Sequence, residues 1–334
     1  MCHLRTIGGT ISDGSRGAVA GGDERSAGYL KTGVIDTLAS SGEPSDARPR
    51  ARLAGDYAEL LKARLTLLVL LTTAVGYYLG AASPVRYAGL FHVVFGTAGA
   101  AAGAAALNQW WERKLDALML RTKDRPVPGG RMRPIEALIV GAALSLAGTI
   151  YLAVTCNALS AALAALTIAI YIFAYTPLKR ISTFNTLVGA IPGALPPLIG
   201  WAAARGRIDA GAWSLFTIMM LWQLPHFFAI AWMYREDYAR AGFQMISNDD
   251  AKGDRSASQS VFFAMLLLVV AGLPAFVGTV SEIFVPIELV LGGWYVAIAM
   301  RFLRSRNAAA ARSLFMTSIL YLPLLLVALV FTKL

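Results

Sequence analysis

Three oxygen-bearing side chains, Asn108, Glu112 and Asp116, stand four residues apart in Asn108-Gln-Trp-Trp-Glu-Arg-Lys-Leu-Asp116. On a helix this spacing stacks them along one face. A column of hard oxygen donors suits Mg2+, which takes one or two carboxylates, keeps waters and accepts the phosphate oxygens of a substrate. The run that follows, Arg121-Thr-Lys123-Asp-Arg125-Pro, supplies cations able to hold the remaining oxygens of a diphosphate. An acidic ladder beside a basic run is the pattern of a metal-bridged diphosphate. The same residues also suit an ordinary basic loop whose acids pair with Arg113 and Lys114, and spacing alone leaves both readings open.

Two further stretches carry candidate chemistry. Trp222-Gln-Leu-Pro-His226-Phe-Phe runs through apolar residues to Arg235-Glu236-Asp237-Tyr238. An ionisable side chain at bilayer depth is a functional candidate, and the plainer alternative is a histidine bonded to a neighbouring helix. His92 lies in another apolar block without charged neighbours and reads as structural. Tyr175-Thr-Pro-Leu-Lys179-Arg180 closes a further apolar run, where its cations could simply mark the inner face of a membrane. Cys2 and Cys156 are far apart, have no nearby base and form neither a disulfide framework nor a Cys-x-x-Cys-His attachment site.

The elements that must position these groups are membrane helices. The chain is 57% hydrophobic and only 15% charged, with mean hydropathy +0.58, against about 25% charged in soluble domains. Its apolar blocks reach the ~20 residues that cross a bilayer. The pattern predicts an all-α bundle of nine transmembrane helices near 64–83, 88–110, 135–154, 158–177, 184–204, 211–234, 260–280, 284–304 and 313–331. Small residues in Gly96-Thr-Ala-Gly99 and Gly189-Ala-Ile-Pro-Gly193 predict close helix approach.

Residues 1–55 are polar, with no periodic apolar face, and read as a disordered tail before a transmembrane domain at 56–334. The tail has no apolar core near its start, so a secretory signal is not expected, and its acids argue against an acid-poor transit peptide. A net charge of +10 could suggest nucleic acid, but the basic residues lie between apolar blocks. With the N-terminus inside, every lysine and arginine except Arg86, Arg205, Arg207 and Lys333 falls on the inner side. That asymmetry predicts a cytoplasmic N-terminus and a C-terminus on the opposite side. Ionisable groups crowd at one face rather than mid-helix, which disfavours a transporter.

The Asn-x-x-x-acid-x-x-x-Asp helix end, the Arg-Thr-Lys-x-Arg-Pro run and the Tyr-Thr-Pro-Leu-Lys-Arg segment resemble the UbiA-type intramembrane prenyltransferases. Trp-Gln-x-Pro-His-Phe and Arg-Glu-Asp-Tyr resemble the branch of that family that prenylates haem. The resemblance spans roughly 55–331. It implies transfer of a farnesyl group from farnesyl diphosphate to haem B, giving haem O. It also implies a bacterial cytoplasmic membrane, a site facing the cytoplasm, and a haem A synthase or terminal-oxidase assembly factor as partner. Carried over, Asn108, Glu112 and Asp116 hold Mg2+ and the diphosphate. Arg121, Lys123 and Arg125 bind its free oxygens, and Lys62, Arg64, Tyr175, Lys179, Arg180, His226 and Asp237 contact substrate. Trp110, Trp111, Phe227 or Phe228 are candidates to face a prenyl cation. The chain departs from the family at Glu112, where many relatives have Asp, and at Ala63, where Pro is expected. His226 stands in place of a second-motif carboxylate, which favours haem contact over the rival aromatic quinone precursor; axial ligation of the haem iron by His226 is a separate hypothesis. A haem-binding membrane protein without catalysis would not need the diphosphate-type cluster.

Overall fold

The structure is a computed structural model that describes residues 50–248 and 250–334, so the reading of 1–49 as a tail lies outside the described residues. The described chain is helical, apart from its loops and one isolated bridge between Val280 and Lys333. Helix α1, Arg50–Leu60, starts inside the segment expected to be tail. Local pattern could not reveal it, because its anchors are distant in sequence. Leu60 packs with Ala106, Val127, Met132 and Ala137, while Arg131 pairs with Asp56 at 2.7 Å and Glu59 at 3.1 Å.

Among the described residues, nine segments are long and apolar enough to span a membrane. The first three are α2 (Ala63–Gly80), α3 (Tyr87–Asp116) and α4 (Pro134–Thr155). The fourth joins α5 (Ala158–Ala169), a π-helical turn (Ile170–Tyr175) and α6 (Thr176–Leu178). The fifth is α7 (Asn185–Ala194) and α8 (Pro196–Arg205), interrupted at Leu195 before two prolines. Helix α9 (Ala210–Met233) is followed by the short α10 (Arg235–Arg240). Then come α11 (Asp254–Val270) with α12 (Leu273–Phe276), α13 (Phe284–Ser305) and α14 (Ala308–Phe331).

Several helices begin or end beyond their apolar blocks because polar groups satisfy their free backbone ends. Asp250 accepts from the amides of Arg255 and Ser256 and starts α11 before residue 260. Asn307 accepts from Ala310 N and starts α14 before residue 313. At the opposite end of the bundle, Arg205 donates to Gly80 O, and Lys333 to Tyr78 O and Ala81 O. Two of the four cations on the sparse side thus close the C-terminus of α2, where carbonyls lack helical partners.

Burial from water cannot drive helices together in lipid, so contact distance matters. Helices α3 and α4 meet where Gly99 faces Gly148, and a Cβ on Gly99 would lie 3.2 Å from the Gly148 Cα. Trp201, Phe284, Tyr295, Phe302 and Tyr321 fill the interior, whereas Phe91, Ile139, Val269 and Val290 are exposed on the outer surface. Such an apolar exterior fits lipid rather than water.

Candidate active site

Helix α3 continues past the apolar block to Asp116, so the whole ladder is helical. Asn108, Glu112 and Asp116 are 1%, 4% and 1% exposed. Each meets a cation from a different element. Lys62 Nζ donates to Asn108 Oδ1 at 2.8 Å. Lys179 Nζ reaches the two Glu112 oxygens at 2.8 and 3.1 Å. Arg125 Nη1 donates to Asp116 Oδ2 at 2.7 Å. The alternative of local pairing with Arg113 is not seen among the described residues; Arg113 donates to Trp110 O instead.

Lys62 joins α1 to α2 with φ 48°, a left-handed conformation that costs a side-chain-bearing residue energy. The turn aims its ammonium at Asn108. Burial first, then the neighbouring Arg125 and Lys179, push its pKa down to about 7. Ala63 takes the first helical position of α2, where a proline also fits, so this departure leaves the site's donors unchanged. Burial works against the charge of Lys179, but the Glu112 carboxylate outweighs it and holds that pKa above its ordinary value.

The π-helical turn places two rings beside these cations. Tyr171 and Tyr175 stack at 5.6 Å. Lys62 donates to Tyr171 Oη at 3.3 Å, and Lys179 lies 4.5 Å from the centre of the Tyr175 ring. Thr176 accepts from Asn108 Nδ2 and donates to Tyr171 O, tying the turn to the ladder. Gly189 makes room on α7, since a Cβ there would come within 2.5 Å of the Tyr175 ring. Behind Lys179, its carbonyl accepts from Gln244 N, and the Gln244 carbonyl accepts from Asn185.

Asp237 belongs to an adjacent cluster. Its Oδ1 accepts from Arg240 at 2.7 Å and from Leu120 N at 3.4 Å. Next to it, Arg121 reaches Tyr238 Oη at 3.4 Å and lies 5.1 Å from the centre of the Tyr234 ring. The C-terminal side of α9 is thereby held against the segment that follows the ladder. Arg64, Lys123 and Arg180 are exposed. Trp111 is also exposed and packs edge-on against Phe173, while Phe228 is buried with Ala190 and Leu224. The rings beside the ladder's lysines are Tyr171, Tyr175 and Phe243, the last 5.6 Å from Lys179 Nζ. Sequence reading missed Tyr171, which its place one helical turn before Tyr175 could have revealed; Thr176, Tyr234 and Phe243 gave no such signal.

His226 lies deeper on α9 and is bonded to a neighbouring helix through Ser318 on α14 at 2.7 Å. His92 bonds to Tyr151, in keeping with a structural role. A buried acid not singled out from the sequence, Glu288 on α13, has one carboxylate oxygen without a hydrogen-bond partner among the described residues.

The donor chemistry fits a divalent ion that arrives with phosphate ligands. Among the described residues, no three His, Cys, Asp or Glu side chains gather as a cage for a free ion. Two carboxylates and an amide on successive turns, interleaved with three cations, leave positions for phosphate oxygens and water.

The UbiA prenyltransferase family profile matches residues 69–322. A protoheme IX farnesyltransferase of Solibacter usitatus is 44% identical over 279 residues, covering 81% of this chain and 96% of its own. One from Opitutus terrae is 42% identical over 280 residues, covering 84% and 95%. Among solved structures, a digeranylgeranylglyceryl phosphate synthase is similar with TM-score 0.70 and 14% identity, covering 84% of this chain and 98% of its own. A UbiA homolog from Archaeoglobus fulgidus bound to GPP and Mg2+ is similar with TM-score 0.60 and 16% identity, covering 82% and 99%.

Proposed function

Because the chain belongs to the UbiA prenyltransferase family, we propose that it transfers the farnesyl group of farnesyl diphosphate to a vinyl group of haem B, giving haem O and diphosphate. The observation that carries this reading is the buried ladder of α3, each of whose three oxygen-bearing side chains meets a cation from a separate element. A site of two carboxylates and an amide against three cations can exchange partners when a dianionic or trianionic ligand enters with its metal. Asn108, Glu112 and Asp116 would hold Mg2+, and Lys62, Lys179 and Arg125 would bind phosphate oxygens. Arg121 and Lys123 receive the outer oxygens, with Arg64 and Arg180 flanking. Mg2+, when bound, supplies Lewis-acid stabilisation of charge on the departing diphosphate.

The allylic C–O bond breaks, and its electron pair leaves with the diphosphate. The cations around the ladder are fixed before that charge appears, so little reorganisation is needed as it forms. Tyr171 and Tyr175 present ring faces to the allylic cation. The terminal vinyl carbon of haem B forms the new C–C bond, and the resulting cation next to the porphyrin takes the oxygen of water and releases a proton. Burial of the ladder keeps water from the first cation until the vinyl group has reacted. The positive-inside asymmetry supports a site at the cytoplasmic face of a bacterial inner membrane. A haem A synthase or terminal-oxidase assembly factor is the partner class suited to take an apolar haem product.

Membranes containing the protein, supplied with haem B, farnesyl diphosphate and Mg2+, should accumulate haem O detectable by chromatography and mass. Prenylation of an added quinone precursor in its place, with haem B unchanged, would overturn the assignment of acceptor.

A further inference from the structure

His226 and Ser318 form a contact whose protons can be assigned. Ser318 Oγ lies 2.6 Å from the Phe315 carbonyl and 2.7 Å from His226 Nδ1. A carbonyl has no proton to give, so the single hydroxyl proton of Ser318 points at Phe315 O. The proton between Ser318 and His226 must then come from the ring, which fixes the imidazole as its Nδ1–H tautomer. Nε2 is left with an unshared electron pair, and it takes no hydrogen bond among the described residues. The ring is held in place from several sides. Its centroid is 5.5 Å from that of Trp222, which stacks on it, and 4.9 Å from that of Phe315, which is tilted by 33°, and Phe227 meets its edge. Ser318 is itself fixed, because Trp222 Nε1 donates to its carbonyl.

His226 is seven residues before Met233 at the end of α9, about 10 Å into the bundle at 1.5 Å per residue. The next helix, α10, is tied to the segment after the ladder through Asp237 and Tyr238. A neutral imidazole with a free lone pair is a strong ligand for haem iron, and ligating histidines commonly donate their other N–H to a fixed oxygen.

We propose that Ser318 is a positioning residue that locks His226 as the Nδ1–H tautomer, so that Nε2 binds the iron of the haem substrate and sets the porphyrin's place beside the ladder. This rests on haem B being the acceptor. Ligation forms one nitrogen–iron bond and moves no electron between partners, so iron keeps its oxidation state.

The test uses the purified full chain in detergent, titrated with ferrous haem B and, separately, with metal-free protoporphyrin IX. Wild type should show the absorption and resonance Raman signature of an imidazole-ligated haem. His226→Ala should lose it, and added imidazole should restore it. Ser318→Ala should weaken haem B binding about ten-fold, as loss of an outer partner typically does, while leaving protoporphyrin IX affinity unchanged. Ser318→Thr, which keeps the hydroxyl, should bind haem B as wild type does. A wild-type spectrum in His226→Ala overturns the ligation. Unchanged haem affinity in Ser318→Ala, or equal weakening for both porphyrins, overturns the positioning role. Wild type that binds neither porphyrin overturns the proposed acceptor as well, and so marks a different failure.

Discussion

Glu112 and Lys179 are both removed from bulk water, 4% and 14% exposed at their side chains, and removing either strands the other. Breaking a buried ion pair on one side costs about 3–5 kcal/mol, whereas replacing both partners with neutral groups costs far less. Lys179→Met should therefore lower thermal stability sharply, and adding Glu112→Gln should recover most of the loss without recovering activity. Thermal unfolding in detergent and the haem O assay, run on the two single variants and the double, check both halves. A double variant as unstable as Lys179→Met would mean that the pair is not the source of the cost. The ladder itself was legible in the sequence, because a spacing of four residues on a helix leaves little freedom. Its partners were not. Lys62 is 46 residues from Asn108, and Lys179 is 67 from Glu112, so only the fold could pair them. The sequence offered only local pairing with Arg113 and Lys114, and packing brought Lys62 and Lys179 to the ladder instead.

The π-helical turn at Ile170–Tyr175 is the element that gives the ladder its aromatic neighbours. Such turns add a residue to the helical repeat and recur at functional sites. The nine apolar spans were readable from length and composition, but this turn was not, because its form depends on hydrogen bonds through Thr176 and on the space left by Gly189. Helix α1 escaped for a related reason, being anchored by Arg131 rather than by its own pattern. Gly189→Leu should push the Tyr175 ring off Lys179. The expected result is a fall in kcat of at least ten-fold with protein that still inserts and purifies as wild type. The same fall accompanied by aggregation would assign Gly189 to packing alone.

Among the described residues, charge is divided unequally between the two ends of the bundle. Arg86, Arg205, Arg207 and Lys333 are the basic residues on the sparse side, and two of these close α2 rather than face solvent freely. The division predicts that the ladder end faces the cytoplasm. In a background lacking Cys2 and Cys156, Ala82→Cys should react with a membrane-impermeant thiol reagent on intact cells, and Thr183→Cys only after the membrane is opened. The reverse pattern would invert the proposed orientation. The account as a whole stands on α3 holding a metal and a diphosphate together, and the most direct measurement is farnesyl diphosphate binding to the purified protein with and without Mg2+. Wild type should bind tightly only when Mg2+ is present, and Asp116→Asn should lose that metal dependence together with most of the affinity. Equal affinity after removal of divalent ions, or wild-type binding by Asp116→Asn, would contradict it.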